Sequence, residues 1–241
     1  MRETFVRKDG NERIHIDIDL AADQYKKLES FLLSVFVKIN SDDFTSLEFE
    51  EFLEIKESLI IALNYEDKAH FLASRVVDGW CELYFCSSDS KELNSMVSAV
   101  LKDTNYVYES NVTKDKKWNF YETQLFPNQI ELIHIESLKI INLLKDEEDM
   151  LEEKRDVEHY ISFTTPTQKE KFVHSLDHNN GFLYKDDLSS EDFEHGVALV
   201  KKHAVTEDVV EQEIEILYKE ISKYQGFYEG WSTTLVEEVE K

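Results

Sequence analysis

The sequence predicts an α+β protein made of two tandem ferredoxin-like domains, in which antiparallel sheets carry helices on one face. Segments with strand and helix periodicity follow the order β-α-β-β-α-β, and that order occurs twice along the chain. A length of 241 residues favours two domains, and a hydrophobic content of 41% is enough to build their cores. An N-terminal β-hairpin extension and a helical linker complete the expected architecture.

The first half begins with the hairpin and continues with the first repeat. Residues 4–8 and 13–19 alternate apolar and polar side chains about a turn that contains Gly10. A dense apolar run predicts the next strand, and an apolar stripe at helical spacing predicts the helix after it. The elements expected after the hairpin are strand 31–39, helix 46–64, strands 70–77 and 80–86, helix 90–101 and strand 106–112.

The second half repeats the order with its own signals. Thr165 and Pro166 are typical of a helix start, and an apolar stripe marks a long helix near the end. The expected elements are strand 157–163, helix 166–176, strands 182–188 and 197–204, helix 206–224 and strand 227–236. Each of the two sheets is expected to leave one face free of helices.

A helix and a charged stretch separate the two repeats. Residues 128–144 predict a helix, and residues 145–156 read as a solvated helical linker because nearly all of them are charged. We therefore expect a domain of unknown function at residues 1–145 and a second domain at residues 150–241. The negative charge is concentrated in the second part, since residues 146–241 hold 25 acidic and 10 basic side chains.

The overall charge limits the partners. With 51 acidic and 27 basic residues, the net charge of −24 repels nucleic acid phosphates and anionic lipids, and it favours a basic protein partner. No apolar run of membrane-spanning length is present, and the first residues lack an apolar signal core, so no membrane contact is expected. Cys81 and Cys86 fall on opposite faces of one strand, which fits a reducing cytoplasm.

Motifs for catalysis are missing from the sequence. It contains no phosphate-binding glycine loop and no nucleophile elbow, and we expect no catalytic, cofactor-binding or metal-binding residues. His15, Asp17 and Asp19 form a polar row on one strand that could hold a metal ion. Such a row is more typical of the wet face of an antiparallel strand.

Two segments carry a family resemblance. The strand VEHYISF at 157–163, a helix that begins TPTQKEKF and the closing stretch GFYEGWSTTLV at 226–236 resemble the regulator of ribonuclease activity B family. The N-terminal part, which ends in WNFYETQLFP at 118–127, is similar to an uncharacterised domain found fused to such regulators. The resemblance implies a small acidic protein that binds ribonuclease E and inhibits RNA decay without being a nuclease.

The leading hypothesis is a non-catalytic cytoplasmic regulator that binds a basic protein of RNA metabolism, a ribonuclease foremost, through its acidic second domain. The candidate partner-binding residues are Trp231, Tyr228, Glu229, Asp186, Asp187, Glu191 and Asp192. For Trp231 a core position is favoured over a role as a partner anchor, and both readings stay open.

Two other functions compete with this hypothesis. One is a small-molecule-sensing or enzymatic module that uses a free sheet face or the cleft between domains, near His15, Asp17, Asp19 or Trp118. The other is a structural homodimer that pairs exposed sheet faces.

Overall fold

The computed structural model describes residues 2–10, 12–39, 47–176, 180–188 and 195–237. Over these residues the chain forms one antiparallel sheet of six strands and one of four, each with helices, so the predicted α+β class is confirmed. The chain divides into two compact units between Pro127 and Asn128.

The first unit is a ferredoxin-like sheet that a hairpin extends. Its elements are β1 Arg2–Asp9, β2 Glu12–Asp19, β3 Phe31–Lys38, α1 Leu47–Asn64, β4 His70–Val77, β5 Trp80–Ser87, α2 Leu93–Leu101 and β6 Tyr108–Lys114. The sheet order is β1-β2-β4-β5-β3-β6, in which the last four strands have the ferredoxin-like arrangement. The hairpin β1–β2 joins this core through antiparallel pairing of β2 with β4.

One face of the first sheet packs against α1 and α2. Alternate residues of β3 point into this core, where Leu33, Val35 and Val37 are almost fully buried. Phe52 of α1 and Val97 of α2 lie in the same cluster. The period-2 pattern of the strands and the apolar stripe of the helices therefore meet as the sequence predicted.

The opposite face of the first sheet is covered near the hairpin, in contrast to the expectation of a free face. The β2 isoleucines on this face are buried: Ile14, Ile16 and Ile18. A segment with a π-helical turn at Tyr121–Leu125 hydrogen-bonds to both hairpin strands. Arg7 donates to the Phe126 carbonyl at 2.9 Å, and the Tyr121 hydroxyl donates to the Asp19 carbonyl at 3.0 Å. The segment WNFYETQLFP thus belongs to the first unit.

The second unit is a smaller sheet of the same topology with one additional helix. Its elements are α3 Gln129–Asp146, β7 Arg155–Phe163, α4 Pro166–Ser175, β8 Leu183–Leu188, β9 His195–His203, α5 Glu207–Ser222 and β10 Phe227–Thr233. The sheet order β10-β7-β9-β8 is the ferredoxin-like one. The core contains the predicted stripe of α5, in which Val210, Ile214, Leu217 and Ile221 are buried.

Helix α3 is part of this second unit, and the charged stretch after it is not a helical linker. An Asn128–Glu131 capping box starts α3, which packs against α5 and β10 and buries Ile141 in their core. The helix ends at Asp146, and the eight residues before β7 form turns, a bend and irregular structure. The linker prediction fails because two of its charged residues, Asp149 and Arg155, pair with each other in the protein interior.

Candidate functional site

The predicted site residues of β10 occupy both faces of the second sheet. Tyr228 and Trp231 face the helices and are 7% and 4% exposed, whereas Glu229 is exposed. A β-bulge between Tyr228 and Gly230 allows this, because it places two core-facing aromatic residues three positions apart on one strand. Gly230 has a φ of +139°, a conformation that L-residues with side chains rarely adopt.

Both aromatic side chains make buried polar contacts. The Trp231 indole N–H donates to Ser137 Oγ of α3 at 3.1 Å, and the Tyr228 hydroxyl lies 2.8 Å from His159 Nδ1. Neither ring is accessible to a partner, so Trp231 takes the core position that the sequence left open. These residues set the geometry of the bulge that presents Glu229.

The predicted acidic residues of β8 lie on an edge strand of the sheet. Asp186 and Asp187 are both exposed. Asp187 pairs with Lys169 of α4 at 2.5 Å, and hydrogen bonds from Lys169 and Tyr184 lower the pKa of its carboxyl group. The lowered pKa keeps the Asp187 carboxyl group ionised at neutral pH. Glu191 and Asp192 lie outside the described residues.

The sheet face opposite the helices carries charged and apolar side chains together. Glu158 of β7 pairs with Lys185 of β8, and Glu229 accepts a hydrogen bond from Ser162. Leu183 and Phe227 are 54% and 47% exposed. Exposed apolar side chains beside carboxylates are suited to a basic segment with aliphatic or aromatic residues.

A second acidic surface lies at the end of the sheet where β7 starts and β9 ends. There the Val205 amide donates to the Leu151 carbonyl at 2.8 Å, and the Met150 amide donates to the Val236 carbonyl at 2.9 Å. These bonds bring the turn before β7, the start of α5 and the segment after β10 together. Eight exposed carboxylates belong to this surface, named here the acidic end: Glu147, Glu148, Glu152, Glu153, Asp156, Glu207, Asp208 and Glu237.

The acidic end has a clear surplus of negative charge. Three exposed lysines neighbour the eight carboxylates along the chain or across the sheet: Lys145, Lys154 and Lys202. A hydrogen bond from the Thr206 hydroxyl lowers the pKa of Asp208, which keeps that group ionised. Sequence reasoning missed this surface because its residues come from three separate segments, although the charged run at 145–156 was visible.

A buried ion pair holds the acidic end in shape. The Arg155 guanidinium lies 2.6 Å from Asp149 Oδ2, and the two side chains are 5% and 0% exposed. Arg155 also donates to the carbonyls of Glu153 and Thr234 at 3.1 and 3.2 Å, and to that of Met150. The Val236 amide donates to Asp149 Oδ2 at 2.7 Å. One pair therefore fixes the turn and the chain segment after β10.

The residues of the enzymatic alternative do not converge on a reactive centre. Asp17 lies on the helix-covered face, where Lys56 of α1 binds it at 2.7 Å. Trp118 is 3% exposed, and its indole N–H donates to the Glu29 carbonyl at 2.9 Å. Within the described ranges, no three His, Cys, Asp or Glu side chains are grouped in a way that could hold a metal ion.

Both units match models of known protein families. Residues 3–126, more than half of the chain, match the family of unknown function DUF695. The chain belongs to that family. Residues 134–233 match the family described as regulator of ribonuclease activity B. The fusion that the sequence predicted is thereby confirmed, and the second match begins within α3, which packs into the second unit.

No curated protein matches the chain. A solved structure of an unknown protein from Galdieria sulphuraria is 8% identical, covers 87% of this chain and 99% of its own, and has a TM-score of 0.22. In the part of the chain that the structure describes, no helix is both long and apolar enough to cross a membrane.

Proposed function

We propose that this chain is a non-catalytic regulator in the cytoplasm that binds a basic region of a ribonuclease, or of another protein of RNA metabolism, through its second unit. The observation that carries the proposal is the match of residues 134–233 to a family of ribonuclease regulators. The acidic end and the carboxylates of Asp186, Asp187 and Glu229 supply negatively charged surfaces, which a basic partner requires.

Electrostatics supports a basic protein rather than RNA as the ligand. Residues 128–241 hold 27 acidic and 12 basic side chains, a net charge of −15. A field of this sign repels phosphates and accelerates the approach of a positively charged surface. RNA-binding regions of ribonucleases are basic because they neutralise the phosphates of RNA. A regulator of this charge would compete with RNA for such a region.

Two surfaces of the second unit are candidates for the contact. The acidic end presents eight carboxylates on turns and segment ends, in the segments that also hold the partly exposed side chains of Met150 and Leu235. The sheet face opposite the helices presents the carboxylates of Asp186 and Glu229 on its two edge strands. It also exposes the apolar side chains of Leu183 and Phe227. We expect the sheet face to determine the affinity and the acidic end to accelerate association.

Affinity capture with matched charge variants tests the proposal. The full chain is immobilised and exposed to cell extract at low and high salt, and the captured proteins are identified by mass spectrometry. Recovery of a basic ribonuclease or a basic RNA-processing protein at low salt, and its loss at high salt, is expected. Absence of any such protein at low salt would refute the proposal.

Three sets of substitutions separate the two surfaces from a general charge effect. The first neutralises the acidic end with Glu147→Gln, Glu152→Gln and Glu153→Gln. The second changes the sheet face with Asp186→Asn and Glu229→Gln. The control neutralises three exposed carboxylates on α1 of the first unit with Glu50→Gln, Glu51→Gln and Glu54→Gln. Capture is expected to fall with the first two sets and to survive the third.

A further inference from the structure

Three buried polar side chains form a chain of hydrogen bonds through the core of the second unit. His159 of β7, His203 of β9 and Tyr228 of β10 are 1%, 4% and 7% exposed. The Tyr228 hydroxyl oxygen lies 2.8 Å from His159 Nδ1, and His159 Nε2 lies 3.2 Å from His203 Nε2. His203 Nδ1 lies 2.7 Å from the carbonyl oxygen of Ala204. This chain of hydrogen bonds thus crosses three strands and ends beside the start of α5.

The positions of the protons follow from the last acceptor. A carbonyl oxygen only accepts, so His203 Nδ1 must carry a hydrogen and donate it to Ala204. In a neutral imidazole the other nitrogen then accepts, and His203 Nε2 receives the hydrogen of His159 Nε2. His159 Nδ1 in turn accepts from the Tyr228 hydroxyl. Every ring nitrogen is satisfied, and all three side chains are neutral.

An added proton breaks this arrangement at either imidazole. A proton on His203 Nε2 would face the N–H of His159, which places two donors 3.2 Å apart. A proton on His159 Nδ1 would face the hydroxyl hydrogen of Tyr228 and force it away from its acceptor. Both events also place a positive charge in the core, where charge is poorly solvated.

The charged groups near the pair do not offset such a charge. Lys201 of β9 acts on both imidazoles and disfavours their protonation, and its ammonium group lies 4.7 Å from the centre of the Phe182 ring. Glu213 of α5 favours protonation of His203, but its carboxylate is paired with Lys201 at 2.5 Å. The Phe182 ring stands edge-on to His159, with centroids 5.3 Å apart. Among the residues that the structure describes, these neighbours supply no unpaired counter-charge for an imidazolium.

Burial and the positive neighbours change the titration of both histidines in the same direction. Burial, with repulsion from His203 and Lys201, lowers the pKa of His159 to about 3, and burial lowers the pKa of His203. In the unfolded chain both have pKa values of about 6.5. Between pH 6.5 and 3 the unfolded chain therefore binds protons that the folded chain does not. The stability that the neutral pair provides is complete above pH 6.5 and is lost as the pH falls.

We propose that the His159–His203–Tyr228 hydrogen-bond chain is an acid-sensitive switch, which shifts the second unit towards its open form as the pH falls from 6.5 towards 5. This hydrogen-bond chain joins the β10 bulge, which presents Glu229, to Ala204 beside the acidic end. Opening therefore disrupts both acidic surfaces together. Release of a bound partner on acidification follows from this switch, and that consequence alone rests on the proposed function.

Nitrogen NMR of the full chain without any partner tests the proton positions directly. Over pH 5.5 to 8 we expect His159 to remain neutral with its hydrogen on Nε2, and His203 to remain neutral with its hydrogen on Nδ1. The Nδ1–H form is the informative one, since only the contact with Ala204 requires it. Titration of either imidazole near pH 6.5 in the folded protein, or the opposite tautomer at His203, overturns the proposal.

Hydrogen exchange tests the opening itself. After correction for the intrinsic exchange rate, the opening equilibrium of β7 and β9 amides is expected to rise about 15-fold from pH 6.5 to 5 through His159 alone. The exposed His174 supplies the matched control, because His174→Gln removes one imidazole from the surface of the same unit and should leave this rise unchanged. His203→Asn retains a donor for the Ala204 carbonyl and should reduce the rise. A pH-independent opening in the unaltered chain contradicts the switch, whether or not the variants fold.

Discussion

Replacement of Arg155 by Met tests whether the buried ion pair holds the acidic end together. The methionine keeps most of the side-chain volume and removes the guanidinium. Asp149, whose side chain is 0% exposed, would then keep the Val236 amide as its hydrogen-bond donor and lose its cationic partner. The carbonyls of Glu153 and Thr234 would each lose a donor as well.

The size of the effect follows from these lost contacts. Removal of one partner of a buried ion pair costs about 3–5 kcal/mol, because the remaining charge stays buried without compensation. We expect a loss of about 4 kcal/mol in the free energy of unfolding of the second unit. A difference of this size corresponds to a roughly thousandfold rise in the opening equilibrium. Lys154 is exposed and next in sequence, so Lys154→Met makes the same change of charge and should cost less than about 0.5 kcal/mol.

Hydrogen exchange with peptide-resolved mass spectrometry measures both variants in the full chain. Amides of β7, β9 and α5 should lose protection in the Arg155→Met protein, whereas those of β3 and β5 in the first unit report on the rest of the molecule. A loss of less than about 1 kcal/mol would refute the reasoning, since it would show that the pair is solvated or replaceable.

Three further changes probe other parts of the structure. Gly226→Ala should destabilise the second unit by about 1–3 kcal/mol in thermal denaturation, because the added Cβ would lie 2.5 Å from the Phe163 ring; an unchanged melting temperature would contradict the packing. Asn128→Ala removes the capping box of α3 and should cost about 1 kcal/mol, seen as faster exchange in the first turn of that helix and not in α5. Burial raises the pKa of Cys81 to about 12 and also raises that of Cys86, so a thiol reagent at pH 8 should label both far more slowly in the native than in the urea-unfolded protein; equal rates would contradict their burial.

Local patterns were sufficient to predict the two sheets. The Asp78–Gly79 pair marks the turn between β4 and β5, where both residues have positive φ values. Thr165 and Pro166 mark the start of α4, and the Thr165 side chain accepts a hydrogen bond from the backbone N–H of Gln168. These signals act over a few residues, so one sequence contains all the information that they need.

The features that depend on distant residues were not predictable in the same way. The run at 145–156 reads as a solvated helix because pattern analysis cannot show that Arg155 reaches the Thr234 carbonyl, 79 positions away. His159 lies between the half-buried Glu158 and Tyr160 on β7, and its hydrogen-bond partner His203 is 44 positions later. The core position of Trp231 could not be decided without α3, because its indole N–H donates to Ser137 of that helix. Each case combines a polar group with a partner that only the tertiary fold supplies.

The most direct measurement is the affinity of the full chain for the isolated basic, RNA-binding region of a ribonuclease, titrated by calorimetry at increasing salt. The proposed function predicts a complex that weakens roughly tenfold or more as salt screens the charges, and that weakens further when Asp186 and Glu229 are made neutral. RNA added to the titration should displace the chain, because both ligands use the same positive surface. Affinity that does not change with salt, or a chain that binds the RNA itself, would contradict the account.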